Sequence, residues 1–173
     1  MSNSRLDALK HALQLEREGM TFYAASRDKA TSPVGRDMFD YLRRSEERHM
    51  RRIREIHHSL EESGIWPEQP ALDQERETEI GTIFSAALEA LQNRDSVDSS
   101  DIEVLQQAAE FERRGEDFYA RRATEAEDPF EKNFYTQLAH EEYHHLKAIQ
   151  DTILMLQDPQ GFFADREHGS LAG

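Results

Sequence analysis

Two short segments of this chain carry Glu-x-x-His: Glu46 and His49 in "EERH", Glu142 and His145 in "EYHH". Residues three apart share one face of a helix. A carboxylate and an imidazole on one face are ligands for a divalent cation of the iron, manganese or zinc type. One such pair in a chain rich in Glu and His carries little information. Here the second copy lies 96 residues after the first, and each has a glutamate 30 residues upstream, Glu16 and Glu112. The competing reading is a solvated charged face on a decayed repeat. It requires the register of all six residues to be accidental.

The helices that must position these residues follow from apolar spacing. Leu42, Ile53, Ile56 and Leu60 mark the buried face of one helix, and Glu46 and His49 fill its gap. Phe134, Leu138, Ile149 and Ile153 frame Glu142 and His145 in the same way. Glu16 lies on the line Leu9–Ala12–Gly19–Tyr23, and Glu112 on Leu105–Ala108–Gly115–Tyr119. The spacing predicts helices over 4–30, 33–63, 99–127 and 129–157. Pro33 suits a first helical turn, and Ser99 or Ser100 is a candidate cap for the third helix. A weaker amphipathic segment covers 79–92.

Over 4–49 against 100–145, fourteen aligned pairs are identical without a gap, and the two glutamates and one histidine of each half are among them. A surface has no reason to keep those three in register. Two antiparallel helix pairs bury each other's apolar faces. The expected fold is therefore all-α: a four-helix bundle over 1–157 built from helix pairs 4–63 and 99–157. A long crossover, 64–98, joins the pairs, and 158–173 form a C-terminal tail. That crossover is long enough for a site within one chain or across two swapped chains, so a homodimer is compatible with it.

Four inward carboxylates without partners would take up protons or destabilise the core. Two divalent cations balance four ionised glutamates, with glutamates bridging the pair and one histidine on each ion. Metal should stabilise the folded chain and be released as pH falls below about 6, the range of ordinary histidine and then glutamate protonation. Glu141-x-x-His144 is a rival pair, but Glu141 is displaced by about 100° around the helix from Glu142. His140 and His144 are read as exposed or outer residues, His57 and His58 as surface or helix-end residues, and His11 and His168 carry no signal. Gly19 and Gly115 provide space beside the metals. Tyr23 and Tyr119 are the catalytic candidates, as donors to a ligating carboxylate on a neighbouring helix or to bound oxidant. Phe22 and Phe118 are ordinary core aromatics. Trp66 and "GFF" at 161–163 should cover bundle ends.

Composition sets limits. The 173 residues contain no cysteine, which excludes disulfides, thiolate metal sites and thiol catalysis. The net charge of −14 argues against nucleic acid as a partner. No run is long and apolar enough for a membrane span. The opening "MSNSRLDALK" lacks the apolar segment of a secretory signal, so a cytoplasmic location is expected.

At "ExxGxxFY" (16–23 and 112–119) and at the two Glu-x-x-His pairs, the chain resembles the rubrerythrin-like branch of the ferritin-like superfamily. "DPQGFF" (158–163) is similar to segments that follow the last bundle helix in such proteins. The resemblance implies a di-iron oxidoreductase that reduces peroxide or dioxygen. Glu16, Glu46, His49, Glu112, Glu142 and His145 would take the ligand roles, with manganese or zinc as substitute metals. Full rubrerythrins add a cysteine-ligated iron domain. This chain has no cysteine, so electrons would come from an external donor. They also carry a further glutamate where Gly115 stands here, which separates this chain from their peroxidase site. One alternative is a ferroxidase supporting iron storage with a partner shell, since the tail "HGSLAG" has a faint likeness to peptides that load cargo into encapsulin shells. Another is a non-catalytic helical interaction protein stabilised by metal.

Overall fold

The computed structural model describes residues 2–68, 76–91, 99–162 and 164. Five helices follow one another: α1 (Ser2–Lys29), α2 (Pro33–Ser63), α3 (Arg76–Leu91), α4 (Ser99–Glu125) and α5 (Pro129–Gln157). No strand occurs among the described residues. α1 packs along α2 and α4 along α5, and the pairs meet through α2 against α5 and α1 against α4. This is the ferritin-like four-helix bundle of two repeated helix pairs.

Local chemistry sets the helix ends. Ser32 caps α2, its side chain accepting from Gly35 N–H, with Pro33 in the first turn. Asp128 occupies the equivalent place before α5, accepting from Phe130 and Glu131 N–H ahead of Pro129. Gly64 ends α2 at φ 69°, a left-handed conformation that favours glycine, and returns its N–H to Leu60 O. α4 is described from Ser99, so Ser99 and Ser100 stand in its first described turn, and residues 92–98, where a cap would precede it, lie outside the described residues.

The repeat also ties the pairs together, with charges exchanged. Asp101 of α4 accepts from Thr31 N–H (2.9 Å), Ser32 N–H (2.7 Å) and Ser32 Oγ (2.6 Å), where α2 begins. Its repeat partner, Arg5 of α1, reaches the start of α5 and pairs with Glu131 at 2.8 Å. Asp101 is buried, and its bonds from Ser32 and Thr31 outweigh the opposing effect of burial and hold its carboxyl below the usual range. Asp101→Ala should lower stability by about 1.5–3 kcal/mol, the range for hydrogen bonds to a charged group. An unchanged urea midpoint would show that the 30–32 turn holds itself.

The apolar interior falls into two clusters. One gathers Met38, Phe39, Leu42, Leu105 and Ile149 with Tyr23. The other gathers Leu9, Ile53, Ile56, Phe134 and Leu138 with Tyr119. Along each long helix, the six candidate ligands fall between residues of the two clusters. Trp66 is buried in the second and packs on Phe134 and Tyr135, covering that end as expected. The amphipathic crossover segment is α3, which lies on α2, adds Ile83, Phe84 and Ala87 to the first cluster, and meets Phe162 through Phe84. Phe163 and the tail "HGSLAG" lie outside the described residues.

Candidate metal centre

All six candidate ligands are buried at mid-bundle. They converge within one chain as two overlapping groups. Glu16, Glu46, His49 and Glu142 form the first, and Glu46, Glu112, Glu142 and His145 the second. In each, one donor atom per residue lies within 4.8 Å of the others. Glu46 and Glu142 belong to both. The long helices thus contribute as the repeat requires: one glutamate each from α1 and α4, and a Glu-x-x-His pair each from α2 and α5.

Both histidines aim Nδ1 at the carboxylates. His49 Nδ1 lies 3.0 Å from Glu16 and 3.3 Å from Glu142. His145 Nδ1 lies 3.2 Å from Glu112 and 3.4 Å from Glu142. The imidazoles stack with centroids 5.6 Å apart.

The electrostatics are those of carboxylates crowded out of water. Burial, and then the neighbouring charges of Glu16 and Glu142, push Glu46 well above the usual carboxylate range. Burial and then Glu142 push Glu112 up to about 8. Burial acts in the same direction on Glu16, but the His49 charge and the hydrogen bonds from Glu46, His49 and Tyr119 together outweigh it and leave that carboxyl low. Glu142 also stays low, because its hydrogen bonds outweigh its burial. Burial disfavours charge on His145, yet Glu112 and Glu142 raise it to about 9. Glu46 Oε1 is buried with no hydrogen-bond partner among the described residues. An orphaned carboxylate oxygen between two groups of anionic and imidazole donors is what a cation would satisfy. The residues present fit a pair of divalent ions.

Tyr23 Oη donates to Glu112 Oε1, and Tyr119 Oη donates to Glu16 Oε1. Both tyrosines thus reach ligand candidates across the repeat. Burial, followed by the glutamate charges, raises both phenols well above their ordinary value, so they keep their protons. Gly19 and Gly115 let carboxylates lie against the helices. A Cβ at Gly19 would meet Phe111 at 2.8 Å and Glu46 Cδ at 3.5 Å, and one at Gly115 would meet Glu142 Cδ at 3.4 Å. A cavity of about 10 Å³ remains beside Gly115, between Leu15, Phe111, Arg114 and the carboxylates, room for about one water-sized molecule.

Glu141 departs from the sequence reading. The rival pair does not form, since His144 is exposed and His140 likewise. Glu141 itself is only 2% exposed, accepts from His49 Nε2, and is held by Arg52 at 3.2 Å. Helical phase missed it because α5 packs on α2 as well as α4, which buries two stripes rather than one. Its repeat partner Ser45, a short polar residue beside Glu46, was the available signal.

A buried set of four glutamates and two histidines on four antiparallel helices defines a dinuclear-metal helical bundle, with a metal-binding, redox role. A family model for Rubrerythrin matches residues 7–153. The chain belongs to the rubrerythrin family. Searches among curated proteins and among solved structures returned no significant match. Among the described residues, no helix is long and apolar enough to cross a membrane.

Proposed function

We propose that this protein holds two iron ions at the six residues and reduces peroxide or dioxygen at their expense. The observation that carries the reading is the sharing of Glu46 and Glu142 between two buried donor groups. Glu46 and Glu142 would serve both ions, and Glu16 with His49, and Glu112 with His145, would hold one ion each. Two ferrous ions bound there would supply the two electrons that, with two protons, convert one peroxide to two waters.

The chain's own groups do the rest. Tyr119 and Tyr23 hold Glu16 and Glu112 in place through their hydroxyls. The apolar clusters on either side exclude bulk water, while the cavity beside Gly115, with room for about one water, marks where a small oxidant would reach the carboxylates once side chains around it shift. With no cysteine in the chain, electrons that restore the ferrous state come from an external donor. Manganese or zinc can occupy the same donors.

The test is anaerobic ferrous titration of the purified protein, followed by peroxide or air, read by absorbance and Mössbauer spectroscopy. The expected result is saturation at two ions per chain, as the two donor groups require, and oxidation of both by one equivalent of peroxide. Saturation at one ion or none, or ferrous ions inert to both oxidants, would overturn the proposal.

A further inference from the structure

The two halves of the centre match closely in their ligands and differ in what stands behind the histidines. Each position has the same shared pair, Glu46 and Glu142, and its own glutamate bonded to a tyrosine from the other repeat. These features cancel when the positions are compared, so the repeat serves as its own control.

Beyond the ligands the repeat has diverged. His49 Nε2–H donates to the Glu141 carboxylate, which Arg52 holds at 3.2 Å, and Arg52 also donates to Gln137 at 3.0 Å. At the offset of 96 residues, the counterparts of Glu141, Arg52 and Gln137 are Ser45, Ala148 and Tyr41. His145 Nε2–H accordingly donates to the neutral Ser45 hydroxyl at 2.8 Å, with the Tyr41 ring edge-on at 5.9 Å. Among the described residues, one imidazole has an anchored anion behind it, and the other has the Ser45 hydroxyl instead.

A carboxylate that accepts from the far nitrogen of a ligating histidine fixes its tautomer and makes the near nitrogen a stronger donor. A hydroxyl does this less, since hydrogen bonds to an ionised acceptor are roughly twice as strong as neutral ones. Resting on the dinuclear reading above, we propose that Glu141 makes the two metal positions inequivalent: the position beside His49 binds a divalent cation more tightly and fills first, and the position beside His145 fills second. Glu141 is a positioning residue that acts through His49.

The experiment uses the full chain, stripped of metal and titrated anaerobically with Co²⁺. Calorimetry reads affinity, and proton NMR reads the hyperfine-shifted exchangeable imidazole protons. The wild type should bind in two steps, with one shifted imidazole proton at the first equivalent and a second appearing at the next. Glu141→Gln should weaken the first step by about 10–100-fold, the usual effect of losing such a partner. At one equivalent it should show both protons together, because the ion then distributes. Glu141→Asp should restore the order.

Ser45→Asp leaves Glu141 in place and should narrow the gap by strengthening the second step, which keeps the test open if Glu141 variants misfold. Two equal steps in the wild type overturn the inference, as does an unchanged Glu141→Gln titration or a Ser45→Asp variant whose gap does not narrow. A wild type that binds fewer than two Co²⁺ ions overturns the dinuclear reading itself. Two ions bound without order removes only the inequivalence.

Discussion

Glu142→Ala is expected to reduce the iron bound by the loaded protein from two ions per chain to one at most, whereas Glu141→Ala keeps two at saturating iron. Glu142 belongs to both donor groups, so its removal strips an oxygen donor from each position at once. Glu141 contributes to neither group and acts only behind His49. The helices should persist in Glu142→Ala without metal, because the change also removes one of four converging carboxylates and relieves their mutual repulsion. Iron analysis after ferrous loading and gel filtration, with circular dichroism on the same samples, checks both parts. If Glu142→Ala retains two ions, Glu142 is not shared between the positions and the assignment of ligands fails.

Metal should raise the melting temperature by an amount that grows with pH up to about 9. In the metal-free folded chain, His145 holds its proton to about 9, against an ordinary 6.5, and Glu112 to about 8, against 4.5. Through the window from 6.5 to 8 the folded state therefore binds more protons than the unfolded chain. The stability these protons contribute is present at low pH and lost as pH rises. The slope is about 1.4 kcal/mol per pH unit for each proton held only by the folded state. Glu46 and His49 are raised in the same direction and add to this slope, whereas Glu16 and Glu142 stay ionised throughout and add none.

Metal binding needs those same groups deprotonated, so affinity climbs over the same window in which the metal-free protein weakens. At a thousandfold excess over Kd, each ion adds about 4 kcal/mol, on the order of 10 °C for a chain of this size. Thermal unfolding of stripped and loaded protein at pH 6, 7, 8 and 9 reads the difference. A gain that levels off at pH 7 would match ordinary histidine and glutamate values, the sequence-based expectation, and would contradict the crowding seen here. Coincident curves throughout would place the six residues outside any metal site.

How far the sequence reached depends on the range of the physics involved. Helical phase is local. An apolar line broken once by Glu16, and again by Glu46 and His49, names inward residues without a tertiary model, and the in-register repeat removed the ambiguity of single motifs. Caps are local too: Pro33 and Pro129 mark the starts of α2 and α5, and Gly64 the end of α2. Fold class and the six converging side chains were therefore determined by the sequence alone.

Which glutamates the two positions share was not, because Glu46 and Glu142 become common only when α2 and α5 face each other across the bundle. The crossing of Tyr23 to Glu112 and of Tyr119 to Glu16 likewise depends on how the repeats dock. So does the exchange of charge at Arg5 and Asp101. Glu141 shows the limit most clearly. On an isolated helix it lies off the buried face, and only contact between α5 and α2 carries it to His49. Phase along one helix orders side chains around its own axis; which second stripe is buried is decided by the neighbour that covers it.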